Sequence, residues 1–312
     1  MNNVITHIDI QPQEITTNVI KSFIEFLDVN PLTVKSYKSG ISYFLRYLND
    51  NNIKFPNRDN IISFKKYLIE NRKSPATIAL YLSALRRFFA WTNSENIYPD
   101  ISIGIKAPKQ DKGHKRDYLS GSQIAKVLDT ADRNSLEGKR NFAIMAIMST
   151  CGLRCCEIVR ADVQDIRHSG GVICLFIQGK GRNSKRDFVK LTAPVLEALN
   201  DYLKARGAVK GNTPLFVSCS RRNKGQRLTT RTVSSICKHS MIEAGYISER
   251  LTAHSLRHSA VTLSLMAGLS LSETQTFARH SNIQTTLVYS HHIDRLKSAC
   301  EEAITKSIFL RL

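Results

Sequence analysis

LTAHSLRHSAVTLSLMAGLSLSETQTFARHSNIQTTLVYSHH, residues 251–292, gathers His254, Arg257, His258, Arg279, His280 and Tyr289 into one short segment. His254 and Arg257 are three apart, so on a helix they share a face. Gly268 closes the helix that begins at His254. Ser270 with Glu273 three residues on is a capping box, and it opens a second helix ending near His280. Asn282 is placed to cap a last, polar helix that carries Thr285, Thr286 and Tyr289. Cations, imidazoles and one hydroxyl, without companion carboxylates, describe a site for an anion. A phosphodiester fits it, with Tyr289 as the nucleophile.

Upstream, RNFAIMAIMST (140–150) is apolar almost all round and reads as a buried helix. It ends at Cys151-Gly152, where glycine suits a left-handed cap. Leu153-Arg154-Cys155-Cys156-Glu157-Ile158 then starts another helix, so Arg154 stands on rigid structure. A functional cation and a surface arginine paired with Glu157 are both open readings at that position. VICLFIQ (172–178) is a β-branched-rich strand, and DFVKL (187–191) returns beside it. Between them GKGRNSKR (179–186) is a basic turn with Lys180 at its tip, either solvated or facing a nucleic-acid groove. Helices are expected over 120–129, 193–206 and 228–245.

The first hundred residues read as a small all-α unit. Asn30-Pro31 and Ser74-Pro75 are helix starts with proline in the first turn. Apolar residues then recur at helical spacing through Val34, Tyr37, Ile41, Phe44 and Leu48, and through Ile78, Leu82, Leu85 and Phe89. Ile61, Phe64 and Leu68 mark a helix between them, and Ile20, Phe23 and Leu27 an earlier one. Lys35, Lys38, Arg72, Lys73, Arg86 and Arg87 make this unit basic, as solvated faces or as a DNA contact. IKAPKQDKGHKR (105–116) has proline, glycine and a dense basic run, and reads as a linker. The expected division is therefore 15–104, a linker over 105–116, and 117–312.

The 312 residues carry a formal net charge of +19, which for a folded chain points first to nucleic acid and second to an anionic membrane surface. No run of about twenty apolar residues is present to span a membrane, and the N-terminus lacks a signal-peptide pattern. The seven cysteines, all at or after Cys151, fit neither a disulfide framework nor a zinc site and read as reduced thiols of a cytoplasmic protein. His291 and His292 have no third ligand at metal spacing, so no metal is expected.

As a set, Gly152-Leu153-Arg154-Cys155-Cys156-Glu157, Gly179-Lys180-Gly181, His254-Ser255-Leu256-Arg257-His258 and Arg279-His280 leading to Tyr289 resemble the tyrosine recombinase (phage integrase) family, Xer-like and mobile-element members included. HxxR alone is common, but all the motifs in order are specific. The resemblance implies a mainly α fold with a small β-sheet. An all-α, SAM-like core-binding domain would precede an α+β catalytic domain, the two forming a clamp around DNA. It implies that Arg154 and Arg257 grip the scissile phosphate, that His254 takes the proton of Tyr289, that His280 bonds the phosphate and that Lys180 protonates the departing 5′-oxygen. Lys185 is the rival for that last role, and His258 reads as a structural partner. A 3′-phosphotyrosyl intermediate conserves the energy of the broken bond, so no cofactor or metal is needed. Double-stranded DNA is the implied partner, with four protomers on two sites, no membrane, and an accessory protein left open. The tail from Ile293 to Leu312 is expected as the element exchanged between protomers, with folding back on its own domain as the alternative. The first helix begins close to the start, so no arm-binding domain is expected ahead of it. Two departures stand out: Cys155-Cys156 replaces a small polar pair, and Ala278-Arg279 replaces the family's frequent Leu-Gly. Arg279 would either contact phosphate or cover the site. The rival functions are DNA relaxation of the type IB topoisomerase kind and non-catalytic DNA binding.

Overall fold

In a computed structural model, residues 10–109, 117–179, 182, 184–208 and 210–309 are described, with the backbone alone at His292, Leu296 and Lys297. Two units, Met1–Lys112 and Gly113–Leu312, each enclose a core of their own.

The first unit has helices α1 (Thr17–Phe26), α2 (Pro31–Asp50), α3 (Arg58–Glu70) and α4 (Pro75–Ser94). Each starts at a side-chain cap: Thr16, Asn30, Asn57 and Ser74 accept from backbone N–H groups of the first turn. A cap of this kind contributes about 1 kcal/mol. Phe23, Phe44, Phe64, Phe88 and Phe89 fill the core, with Phe23 on Phe88 and Phe44 on Phe64 edge to face at 5.2 and 5.0 Å. A Cβ at Gly40 would lie 3.1 Å from the Tyr81 ring, so its hydrogen lets α2 and α4 approach closely. The segment expected as linker begins inside this unit. Ile105 is buried in the core and its carbonyl accepts from Arg86 Nη2 at 2.7 Å, because an apolar residue at that point gains more by packing than by spanning. Residues 110–116 of that segment lie outside the described residues.

The second unit is organised on α6 (Leu136–Cys151), which is buried on most of its surface as its all-round apolar sequence requires. Around it stand α5 (Gly121–Asp129), α7 (Cys155–Arg160), α8 (Ala193–Arg206), α9 (Thr230–Glu243) and α10 (Ala253–Met266). Strands β1 (Ile166–Ser169), β2 (Val172–Ile177) and β3 (Asp187–Lys190) form an antiparallel sheet in that order, with Leu175 opposite Ile166 and Val189. The sequence reading has no β1. It is four residues long, polar and at an edge, so it carries no burial pattern to read. α11 (Leu271–Ala278) and α12 (Gln284–Lys297) complete the unit, and α13 (Cys300–Phe309) ends the described chain with no buried residue. The fold is mainly α with a small sheet. Among the described residues no helix is long and apolar enough to cross a membrane.

Candidate active site

Gly152, at φ +60°, ends α6 in the left-handed conformation that favours glycine. Two residues on, Arg154 is the N-cap residue of α7. Its Nη1 donates to Glu157 Oε1 at 2.8 Å, and its backbone N–H donates to Glu157 Oε2 at 2.8 Å. Glu157 is fully buried. Of the two open readings at Arg154, the pairing with Glu157 is present, and the guanidinium also lies within electrostatic reach of Arg257, His280 and Tyr289. The site also has a carboxylate at its centre, which corrects the expectation from residues 251–292 alone.

Arg257, on α10, is 2% exposed and donates to the carbonyls of Gly152 and Ala278, tying the end of α6 to the end of α11. Burial, and then the charges of Arg154 and Arg279, pull its pKa down to about 9, so it stays charged at neutral pH. Arg279 caps α11 at φ +53°. Its Nη1 donates to the Phe277 carbonyl at 2.9 Å, and its Nη2 to the Gly152 carbonyl at 2.9 Å and to Glu157 Oε2 at 3.3 Å.

Tyr289 is 6% exposed, although the helix that carries it reads as polar. Ser290 and His291 follow it by about 100° and 200° around α12, so their polarity says nothing of its own face. The Tyr289 hydroxyl meets His258 Nδ1 at 2.5 Å. Burial raises the phenol to about 12, against the pull of Arg257 and Arg154, so the hydroxyl keeps its proton at neutral pH. His258, read as a structural partner, is here the hydrogen-bond partner of the Tyr289 hydroxyl. The signal was present in the sequence: His258 is four residues from His254, on the same helical face. The two rings stand edge to face at 4.8 Å.

His280 stacks against Tyr289 at 6.2 Å between centroids, and its Nδ1 is 3.0 Å from the buried hydroxyl of Thr286. Burial, and then the charges of Arg257, Arg154, Arg279 and His254, lower its pKa to about 4. The imidazole is neutral at pH 7. In the tautomer where Thr286 donates to Nδ1, Nε2 carries the hydrogen and can donate in turn. The unfolded histidine, near 6.5, binds a proton before the folded one does, so stability falls as the pH drops from about 6.5 to about 4. Urea melts over that range should show a shallower pH slope in His280→Gln than in the unaltered protein, and equal slopes would contradict the assignment.

Lys180 lies outside the described residues. Its rival Lys185 does not: its Nζ donates to Asp162 Oδ2 at 2.7 Å and to Asp165 Oδ2 at 2.5 Å. Asp162 also receives Arg227 at 2.5 Å. Lys185 thus fastens the base of the β2–β3 hairpin to the turn before β1.

Residues 117–295 match the family model described as the phage integrase family, and residues 14–96 match that of the phage integrase N-terminal SAM-like domain. The chain belongs to the phage integrase family. Tyrosine recombinase XerD of Listeria monocytogenes is 30% identical over 289 residues, covering 88% of this chain and 94% of the relative. Tyrosine recombinase XerD of Oceanobacillus iheyensis is 32% identical over 286 residues, covering 87% and 93%. The solved structure of XerH site-specific recombinase bound to palindromic difH substrate has a TM-score of 0.70 at 24% identity, covering 92% of this chain and 83% of that one. A lambda integrase(75-356) dimer bound to a COC′ core site has a TM-score of 0.67 at 18% identity, covering 86% and 96%. At these identities the two structures establish the integrase fold. In this integrase-family chain the two recombinase motifs with Arg154 and Arg257 meet at one carbonyl-lined corner.

Proposed function

We propose that this protein is a site-specific DNA recombinase that cuts and rejoins strands through Tyr289. One observation carries the reading: the Tyr289 hydroxyl sits on an imidazole and within electrostatic reach of two guanidiniums, Arg257 and Arg154. In the reaction the Tyr289 oxygen bonds to phosphorus and the bond from phosphorus to the 5′-oxygen breaks. The tyrosine proton passes to a histidine, His258 by contact or His254 by family resemblance. Arg154 and Arg257 bind the non-bridging oxygens, where negative charge grows in the transition state, and His280 adds a hydrogen bond. Lys180 gives the departing oxygen its proton. One phosphodiester is exchanged for another, so the 5′-hydroxyl of a partner strand reverses the step without an energy source.

Double-stranded DNA is the partner, as with the relatives solved on DNA, and the charge of +19 suits it. The tail supports assembly of four protomers on two sites. Ile304, Ile308 and Phe309 of α13 are exposed, and burial in a neighbour would remove that apolar surface from water. The matches over 14–96 and 117–295 support a core-binding domain followed by a catalytic domain, with Ile105 belonging to the first rather than to a linker. The protein acts in the cytoplasm, where its DNA and its free thiols belong.

The reading is tested with a duplex nicked beside the cleavage point, so that the short 5′-product diffuses away. A covalent protein–DNA band on a denaturing gel is expected. A protein that binds the site yet never forms the band would be a non-catalytic DNA binder, and one that relaxes any plasmid would be a topoisomerase. The general acid has its own test. Replacing the 5′-bridging oxygen by sulfur removes the need for a proton on the leaving group. Lys180→Ala should cleave about 10²–10⁴-fold more slowly on the oxygen substrate and recover on the sulfur one. If Lys185→Ala is the variant that recovers, the assignment passes to Lys185.

A further inference from the structure

Arg279 occupies a backbone conformation that costs a side chain energy. At φ +53° and ψ +45° it lies in the left-handed region, where a residue with a Cβ is disfavoured relative to glycine. The position is set by the end of α11, where the N–H of Arg279 returns to the Thr276 carbonyl and the N–H of His280 to the Gln275 carbonyl. A second cost comes with the side chain, since its Nε is buried with no partner. What offsets both is made by the two Nη atoms. They reach the carbonyls of Phe277 and Gly152, at the C-terminal ends of α11 and α6 where positive charge is favoured, and the carboxylate of Glu157.

Glu157 is thus shared. One carboxylate, with no exposure to water, takes Arg154 on Oε1 and Arg279 on Oε2. Opposite Arg154 alone it would cancel that charge at close range. With Arg279 also in place, three guanidiniums face one carboxylate and two positive charges remain uncompensated. A phosphodiester brings one negative charge and the pentacoordinate transition state carries two, so the surplus matches the state that must be stabilised.

Building on the recombinase reading above, we propose that Arg279 is a positioning residue that balances Glu157, leaving the charge of Arg154 available to the phosphate. It acts through Glu157 and Arg154 rather than on the DNA.

Arg279→Gly and Arg279→Asn both tolerate the left-handed backbone and both remove the charge, so the fold has two chances to persist. Each should slow formation of the covalent adduct about tenfold or more with DNA affinity unchanged. Adding Glu157→Gln should then restore most of the lost rate. The amide still offers an oxygen to the Arg154 backbone N–H, but it no longer neutralises the guanidinium. A purely structural loss would not be repaired by a second change in the same contact. Wild-type cleavage by both single variants, or no recovery in the double variants, overturns the proposal. An unaltered protein that forms no adduct would instead overturn the recombinase reading, so the two failures are separable.

Discussion

Tyr289→Phe should form no covalent adduct on a nicked duplex, while binding the same DNA with unaltered affinity and melting within a few degrees of the unaltered protein. The three parts follow from different facts. The adduct disappears because the oxygen proposed to attack is removed. Affinity survives because binding rests on phosphate contacts by cations, which the substitution leaves alone. Stability changes little because the ring stays packed against Val261 and Ala278, and the hydrogen bond with His258 is worth about 1 kcal/mol. Burial holds the Tyr289 proton on up to about 12, so attack at neutral pH needs a base. His258→Ala keeps the nucleophile and removes that contact, and should slow the adduct about 10²–10⁴-fold. If His258→Ala cleaves normally and His254→Ala does not, the proton leaves through His254. A Tyr289→Phe protein that still makes the adduct sinks Tyr289 as nucleophile.

Much of this site is legible in the sequence because its parts announce themselves locally. Gly152 and Gly268 mark helix ends, Ser270 with Glu273 marks a start, and the capped helices follow where those signals put them. What escaped is non-local. Glu157 meets Arg279 across 122 residues, and no periodicity or spacing in the stretch around Arg279 points to a carboxylate there. His258 finds Tyr289 across 31 residues, although its shared face with His254 was a hint. The burial of Tyr289 is hidden in the sequence for another reason. Polar neighbours in sequence are neighbours around a helix, and they describe other faces of it. Arg279 was visible as a departure from the family pattern, but a left-handed backbone at a non-glycine residue follows from how α11 ends against α6, which is tertiary.

Arg257→Ala should fail differently, losing cleavage and stability together. The guanidinium is 2% exposed and it is the donor that closes the Gly152 and Ala278 carbonyls. Alanine leaves those acceptors short of a donor in a buried place, at about 1–3 kcal/mol each. For a unit of this size that lowers the melting temperature by roughly 4–24 °C. Gly152 keeps a second donor in Arg279, so the Ala278 side should be the more damaged. Cleavage should fall about 10³-fold or more, since a charge-bearing double donor at the developing phosphorane is lost. Arg257→Lys separates the two effects. The ammonium keeps the charge but cannot span two carbonyls and a phosphate in the planar arrangement of a guanidinium. It should therefore bind DNA normally, melt between alanine and the unaltered protein, and still cleave poorly. Thermal melts and single-turnover adduct formation on the three proteins check this. If Arg257→Ala cleaves at the normal rate, Arg257 is a structural tie only. If Arg257→Lys cleaves normally, charge without geometry suffices. The contrast with Tyr289 has a physical basis. The nucleophile must lose its bond to His258 and move onto phosphorus, so the fold can depend on it only weakly. An arginine that is to bind phosphate, as proposed for Arg257, must not move, and the carbonyl bonds that hold it still make it part of what joins α6 to α11.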